Sequence, residues 1–271
     1  LRAPTQLFID SKNMTRNVAL VTGASSGIGR EFALHYSRLG FHVCIVGRNA
    51  EDLHSVALEI EEAGATCNLV VADLSVTHGV AHVLANSGEP DVLIANAGVT
   101  LAGRAGTVPW NELERMTFLL GTGVAQLVEG VMPSMIRKKS GTVIVVSSIA
   151  SLIDMPNSAV YAASKSFATR YATSLAREVK HAGVQVTAVC PGYVHTNLHS
   201  RAGLGHLETK VPRWLWIDAA TVVAAAVSGA RKGKSVVVPG VVYRVSLPFL
   251  NWSFAQGLWA RLTRRNRDRR A

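Results

Sequence analysis

Seven short runs of the chain are apolar throughout rather than alternating: NVALVT (17–22), FHVCIV (41–46), TCNLVVA (66–72), DVLIAN (91–96), TVIVVS (142–147), VQVTAVC (184–190) and SVVVP (235–239). A strand with apolar side chains on both sides has to be covered on both faces, which is the situation of a parallel sheet between two layers of helices. Helix-like stretches lie between most of the runs, from the turn after Thr22 to Leu39 and again over AEDLHSVALEIEEAG (50–64). Right-handed crossovers then give an α/β fold: a doubly wound, mostly parallel sheet of about seven strands with helices on both faces. Ligands of such a sheet sit beyond the carboxyl ends of its strands. No repeat or linker divides residues 14–246, so we expect one domain there, preceded by an extension over 1–13 and followed by a tail over 247–271.

The first of those carboxyl ends carries TGASSGIG (22–29). Gly23 suits a tight turn, Gly27 lets backbone approach a pyrophosphate, and Gly29 allows helix and strand to pack closely. Ser25, Ser26 and Ile28 belong to the same turn, where a helix N-terminus offers free N–H groups and a positive dipole end to an anion. A glycine turn by itself is common; its place between a strand and a helix gives it weight.

A second signal is AVYAASKSFA (159–168), in which Tyr161 and Lys165 are spaced to lie on one helix face. Such a pair is either a packed ring with a lysine stem laid over it or a phenol and an ammonium offered to the same spot. The motifs ADL (72–74), NAG (96–98), SS (147–148) and PG-x-x-x-T (191–196) fall in order around these two. The ordered set, covering roughly residues 16–240, resembles the short-chain dehydrogenase/reductase family, in its NADP-preferring type.

That resemblance implies a Rossmann fold and hydride transfer between a nicotinamide and a carbonyl or secondary alcohol. It makes Tyr161 the proton donor and acceptor, with Lys165 lowering the phenol's pKa from about 10 and also holding the nicotinamide ribose. Ser148, thirteen residues before Tyr161, would orient the substrate oxygen. Asp73 corresponds to the residue that binds the adenine amino group, with Leu74 contributing backbone. Asn96 would lock neighbouring strands while Ala97 and Gly98 leave room for the ribose. Pro191, Gly192, Val194 and Thr196 correspond to the loop that faces the nicotinamide amide and the pyrophosphate.

Cofactor choice turns on the end of the second strand, where an acid selects NAD through the ribose 2′-hydroxyl. Here Gly47 stands in the acid's place and Arg48 follows, a residue able to pair with a 2′-phosphate. NADP is therefore expected over NAD, although Ser26 occupies a position where many NADP-dependent members carry a basic residue. One departure concerns FLLGTGVAQLVEGVMP (118–133): where many members carry an asparagine that holds a water of the proton relay, this chain has Leu120. Either Thr122 or a backbone carbonyl holds the water instead, or the chain is a weak or inactive NADP-binding protein acting as a sensor or scaffold.

Residues 195–217 stand where the family places a mobile lid. Leu198, Leu204, Leu207, Trp214 and Trp216 either line an apolar pocket or pack the lid to the core, and His195 and His199 lie alongside. They suit a bulky apolar ketone or aldehyde better than a small hydroxy acid. The net charge of +10 is concentrated: RLTRRNRDRR (261–270) holds six arginines and one aspartate, half the total. A mildly basic body argues against a nucleic-acid partner. Leu250, Phe254, Leu258 and Leu262, with Trp252 and Trp259, can share a helix face, which docks on the domain, on a second subunit or on an anionic membrane. Cys44, Cys67 and Cys190 lack metal or disulfide spacing, and no metal is expected. The family habit is a homodimer or homotetramer, and the location expected is cytoplasmic, with peripheral membrane contact through the tail.

Overall fold

The computed structural model describes residues 17–196 and 211–250, with backbone alone for 247–250. The extension over 1–13, four of the lid positions (Leu198, His199, Leu204 and Leu207) and the tail beyond 250 lie outside the described residues. Seven parallel strands form one sheet: β1 (Val18–Thr22), β2 (His42–Gly47), β3 (Thr66–Val71), β4 (Val92–Ala95), β5 (Gly141–Val146), β6 (Val184–Val189) and β7 (Val236–Val237). Their spatial order is β3-β2-β1-β4-β5-β6-β7, so the direction of winding reverses between β1 and β4. That reversal opens a crevice at the carboxyl ends of those two strands.

Two helical layers cover the sheet. On one face α1 (Gly27–Arg38), α2 (Ala50–Glu62) and α7 (Ala219–Arg231) bury Phe32, Leu53, Ile60 and Val222 against Val21, Ile45 and Ile94. On the other, α3 (Thr77–Asn86), α5 (Gly123–Lys138) and α6 (Ala159–Glu178) bury Val83, Val128, Met135 and Leu175 against Leu20, Leu93 and Val145. The strands β1, β2, β4 and β5 thus send alternate side chains into two separate cores, which explains their uninterrupted apolar reading, whereas the edge strand β3 leaves Leu69 and Val71 exposed. Between α4 (Trp110–Thr117) and α5, residues Phe118–Thr122 form a π-helical turn. The combined stretch Trp110–Lys138 is long and apolar enough to cross a membrane, but 61% of its most apolar window is buried in the protein, as befits a core helix.

At the far end, α8 (Val241–Leu250) follows directly on Gly240 (φ +85°). The tail pattern read from the sequence began only at 247. The helix starts earlier because Tyr243, buried to 5% exposure, docks its first turn on the domain.

Candidate active site

Strand ends bring the motif residues to one edge of the sheet. After β1, Gly23 (φ +65°) and Gly27 (φ +56°) are both left-handed, the region where a side chain is strained. Neighbours also leave no room: a Cβ on Gly23 would lie 2.9 Å from Ala97 Cα, and one on Gly27 would lie 2.8 Å from Thr196 Cγ2. Gly29 serves the turn itself, since its Cβ would meet the Gly23 carbonyl oxygen at 2.1 Å. Ser25, Ser26 and Ile28 complete the turn into α1, whose first turn contains no acidic residue to compete for an anion.

Thr22 fastens this turn to the end of β4. Its buried hydroxyl donates to Ile94 O (3.2 Å) and accepts from the amides of Asn96 (3.0 Å) and Ala97 (3.1 Å). Asn96 returns the link, donating from Nδ2 to Thr22 O (2.9 Å) and Gly23 O (3.3 Å). The role of Thr22 was not read from the sequence, because nothing local marks a threonine as a bridge to residues more than seventy positions away.

Asp73 follows β3 and is held at both oxygens: Oδ1 accepts from Ser75 N (3.0 Å) and Oδ2 pairs with Arg115 of α4. Burial pushes its carboxyl up, but the Ser75 bonds and the guanidinium groups of Arg115 and Arg48 outweigh it and hold the pKa below the usual range. Gly79 of α3 permits this placement, since a Cβ there would lie 1.9 Å from Asp73 O. Leu74 is buried beside it. Arg48, exposed at the end of β2, sits on a loop fixed by Asn49, whose Oδ1 caps α2 by accepting from the amides of Glu51 (2.9 Å) and Asp52 (3.3 Å).

Ser148, Tyr161 and Lys165 come together at the ends of β5 and α6. Ser148 Oγ accepts the Ala150 N–H (3.1 Å) and stands beside the Tyr161 hydroxyl. Burial raises the phenol's pKa, with the Ser148 side chain acting against it. Burial also lowers Lys165 from 10.5 to about 8, the Cys190 thiol opposing that shift. Lys165 Nζ donates to Val146 O (2.9 Å). Without a cofactor, burial outweighs Ser148 in setting the phenol, and one of the lysine's donors goes to the strand end.

Leu120 is fully buried in the π-turn, with Cδ2 3.3 Å from where a Cβ on Gly98 would be; the same point is 3.8 Å from Lys165 Nζ. An aliphatic side chain therefore occupies the neighbourhood of the lysine. Thr122, on the same turn, is exposed.

Behind Ser148 lies a buried hydroxyl cluster that sequence reasoning missed. Thr169 Oγ1 is 2.7 Å from Ser147 Oγ and 2.9 Å from Ser151 Oγ, while those two donate to Lys165 O (3.0 Å) and Ser148 O (2.7 Å). Cys190 Sγ closes the cluster at 3.6 Å from Ser151 and 3.8 Å from Thr169.

The loop after β6 carries Pro191, Gly192, Val194 and Thr196 past the glycine turn, and Val194 bridges to Ile217. Of the lid aromatics, Trp214 is 65% exposed, whereas Trp216 is buried and stacks on His195 with centroids 5.0 Å apart. Trp216 is thus packing, while Trp214 is exposed.

The model of the family described as short chain dehydrogenase matches residues 17–205. An uncharacterized oxidoreductase of Myxococcus xanthus is 34% identical over 189 residues, 68% of this chain and 75% of that protein. Dehydrogenase/reductase SDR family member 7B of Bos taurus is also 34% identical, over 195 residues; these are 68% of this chain but only 60% of that longer protein. Among solved structures, the short-chain dehydrogenase from Sphingobium yanoikuyae in complex with NADPH superposes with a TM-score of 0.78 at 26% identity, covering 90% of this chain and 95% of that one. With the motif residues gathered at one sheet edge and the family model matched over most of the fold, the chain belongs to the short-chain dehydrogenase/reductase family of NAD(P)-type oxidoreductases.

Proposed function

We propose that the protein is an NADP-dependent reductase or dehydrogenase acting on a carbonyl or secondary alcohol, with a bulky apolar ketone or aldehyde as substrate. One observation carries the reading: Ser148 and Tyr161 stand together, with Lys165 one helical turn on from Tyr161, at the carboxyl edge of the sheet. The residues present fit the cofactor. The left-handed Gly23 and Gly27 let the turn pack closely on Ala97 and Thr196 without side chains of their own, and the acid-free start of α1 suits a pyrophosphate.

In that cradle the turn from Gly23 through Ser25, Ser26, Gly27, Ile28 and Gly29 holds the pyrophosphate. Asp73 and Leu74 receive the adenine, and Arg48 pairs with the 2′-phosphate. Asn96 fixes the strand ends, Ala97 and Gly98 leave room for the ribose, and Lys165 binds its hydroxyls. Pro191, Gly192, Val194 and Thr196 face the nicotinamide end. The bound cofactor supplies or accepts the hydride. Ser148 donates a hydrogen bond to the substrate oxygen and aims the carbonyl; Tyr161 gives its proton to that oxygen as negative charge develops there.

Carbonyl-dependent NADPH consumption over a panel of apolar ketones and aldehydes tests this, with Tyr161→Phe as control. Turnover abolished in the variant while NADPH still binds supports the reading. Turnover that persists in Tyr161→Phe rejects it.

The buried Leu120 beside Lys165 favours a second reading, an NADP-binding protein of weak or lost turnover that acts as sensor or scaffold. NADPH binding without consumption across the panel would select it. For surroundings, the reading is a homodimer or homotetramer in a reducing cytoplasm, touching an anionic membrane through residues 247–271. Three thiols outside disulfides and the arginine-rich tail support it. Light scattering, and liposome sedimentation with and without the tail, check it.

A further inference from the structure

We propose that Tyr243 is a positioning residue, a clamp that fixes the Pro191–Thr196 loop to the returning segment Leu215–Ile217 so that the two keep one register. The inference rests on the reading above in giving that loop to the cofactor.

Tyr243 is the docked residue of an otherwise exposed helical turn: it is 5% exposed, whereas Val241, Val242 and Val245 are 66%, 40% and 61% exposed. Its ring lies flat against Gly192. A Cβ on Gly192 would be 2.0 Å from Tyr243 Cζ and 2.4 Å from both Cε atoms, a separation no packing adjustment of a buried ring absorbs. Gly192 does not have the positive φ that would call for glycine on backbone grounds. The aromatic ring is therefore the local reason for glycine at this point of the loop.

The phenol uses both of its hydrogen-bonding capacities, each on a different segment. Its oxygen accepts the Tyr193 N–H at 3.0 Å, and its proton goes to Leu215 O at 2.5 Å. The two segments also meet directly: Ile217 N donates to Tyr193 O (3.0 Å) and His195 N to Ile217 O (3.0 Å). Trp216 completes the contact, with its ring 5.4 Å from Tyr193 and 5.0 Å from His195. Gly240 lets the helix start close enough, since a Cβ there would be 3.2 Å from Tyr243 Cδ2. At the far end of the loop, Thr196 touches the glycine turn at Gly27. A chain of contacts thus runs from α8 through Tyr243 and the loop to the turn assigned to the pyrophosphate. The start of α8 thereby bears on cofactor binding without touching the cofactor.

Tyr243→Phe keeps the ring and removes one donor and one acceptor. The expected result is a rise of about 3- to 10-fold in the nucleotide KM or Kd, the size of one or two lost hydrogen bonds, with kcat at saturating nucleotide changed less. Amide hydrogen exchange at Tyr193 and Ile217 should speed up, a signature independent of catalysis. Gly192→Ala, which displaces the ring and spares the phenol, should show the same pair of effects. A lowered melting temperature with nucleotide KM and both exchange rates unchanged would mean a merely structural tyrosine and would overturn the proposal. If the unsubstituted protein binds neither NADPH nor NADH, the functional reading has failed. In that case the clamp stands or falls on the exchange at Tyr193 and Ile217 alone.

Discussion

Lys165 Nζ donates to the Val146 carbonyl at 2.9 Å, while one helical turn earlier Tyr161 stands beside Ser148. The cation is tied to the last residue of β5 and the phenol lies next to the serine two residues beyond it, so two neighbouring groups on α6 meet the same strand end. Burial acts on both, and in each case it favours the neutral form.

For stability the sign follows from Lys165, whose pKa falls from 10.5 to about 8 on folding. Between those values the unfolded chain binds more protons, so the contribution of this group to stability rises with pH. The penalty for burying the cation, about 3 kcal/mol at most, is fully present below pH 8 and gone by pH 10.5. Lys165→Met should therefore melt higher than the unsubstituted protein at pH 7, with the difference shrinking as pH rises to 10. A difference that does not vary over this window would refute the assignment.

Activity has its own pH dependence. With the phenol's pKa raised, Tyr161 keeps its proton through neutral pH and is not the group that limits reduction there. Reductive kcat/KM should stay level up to pH 8 and decline above it as Lys165 loses its charge. The oxidative direction, which needs the phenolate, should instead rise with pH. Initial rates in both directions from pH 6 to 10 check this, and a reductive profile still level at pH 10 contradicts it.

The hydroxyl cluster behind Ser148 makes a separate claim. Thr169→Val preserves shape but deprives Ser147 and Ser151 of their shared partner, a loss of about 1–3 kcal/mol for buried polar groups. Because Ser151 Oγ also holds Ser148 O, kcat should fall along with the melting temperature, and Thr169→Ser should restore much of both. Full activity in Thr169→Val would show that the cluster serves packing alone.

What the sequence made legible was what short spacing encodes. The doubly apolar runs became seven parallel strands, the inner ones buried on both faces, and TGASSGIG and Y-x-x-x-K sat where a strand-to-helix turn and a helix face put them. Contacts that close over long separations stayed hidden. Thr22 reaches Asn96 and Tyr243 lies on Gly192; in each case the residue's neighbours in sequence say nothing about its partner. The setting of Tyr161 was hidden for a related reason: spacing shows that a lysine is near, but not how strongly burial acts on the phenol.

Arg48 tests the cofactor preference. It is exposed and stands one residue beyond Gly47, in place of an acid. Arg48→Ala should raise the KM for NADPH about 10- to 100-fold, the range of one or two charge-assisted hydrogen bonds, and leave the KM for NADH nearly unchanged. Equal effects on both nucleotides would remove the 2′-phosphate from its role.

Leu120→Asn addresses the proton route. Leu120 is fully buried, and its Cδ2 fills the space beside Gly98 near Lys165 Nζ. The amide is shorter than the leucine and polar, so the substitution opens room for a water next to the lysine while removing apolar contacts. Stability should fall by about 2–4 kcal/mol, the usual cost of trading a buried aliphatic side chain for a polar one. If turnover is limited by a shortened relay, kcat should nevertheless rise at temperatures well below melting, with the solvent deuterium isotope effect reduced. A stable variant that binds NADPH and gains no rate would show that the proton leaves by another path, or that Leu120 marks a chain that no longer turns over. A parallel Thr122→Val variant separates these two, since only in the first can removing the neighbouring hydroxyl lower a rate that exists.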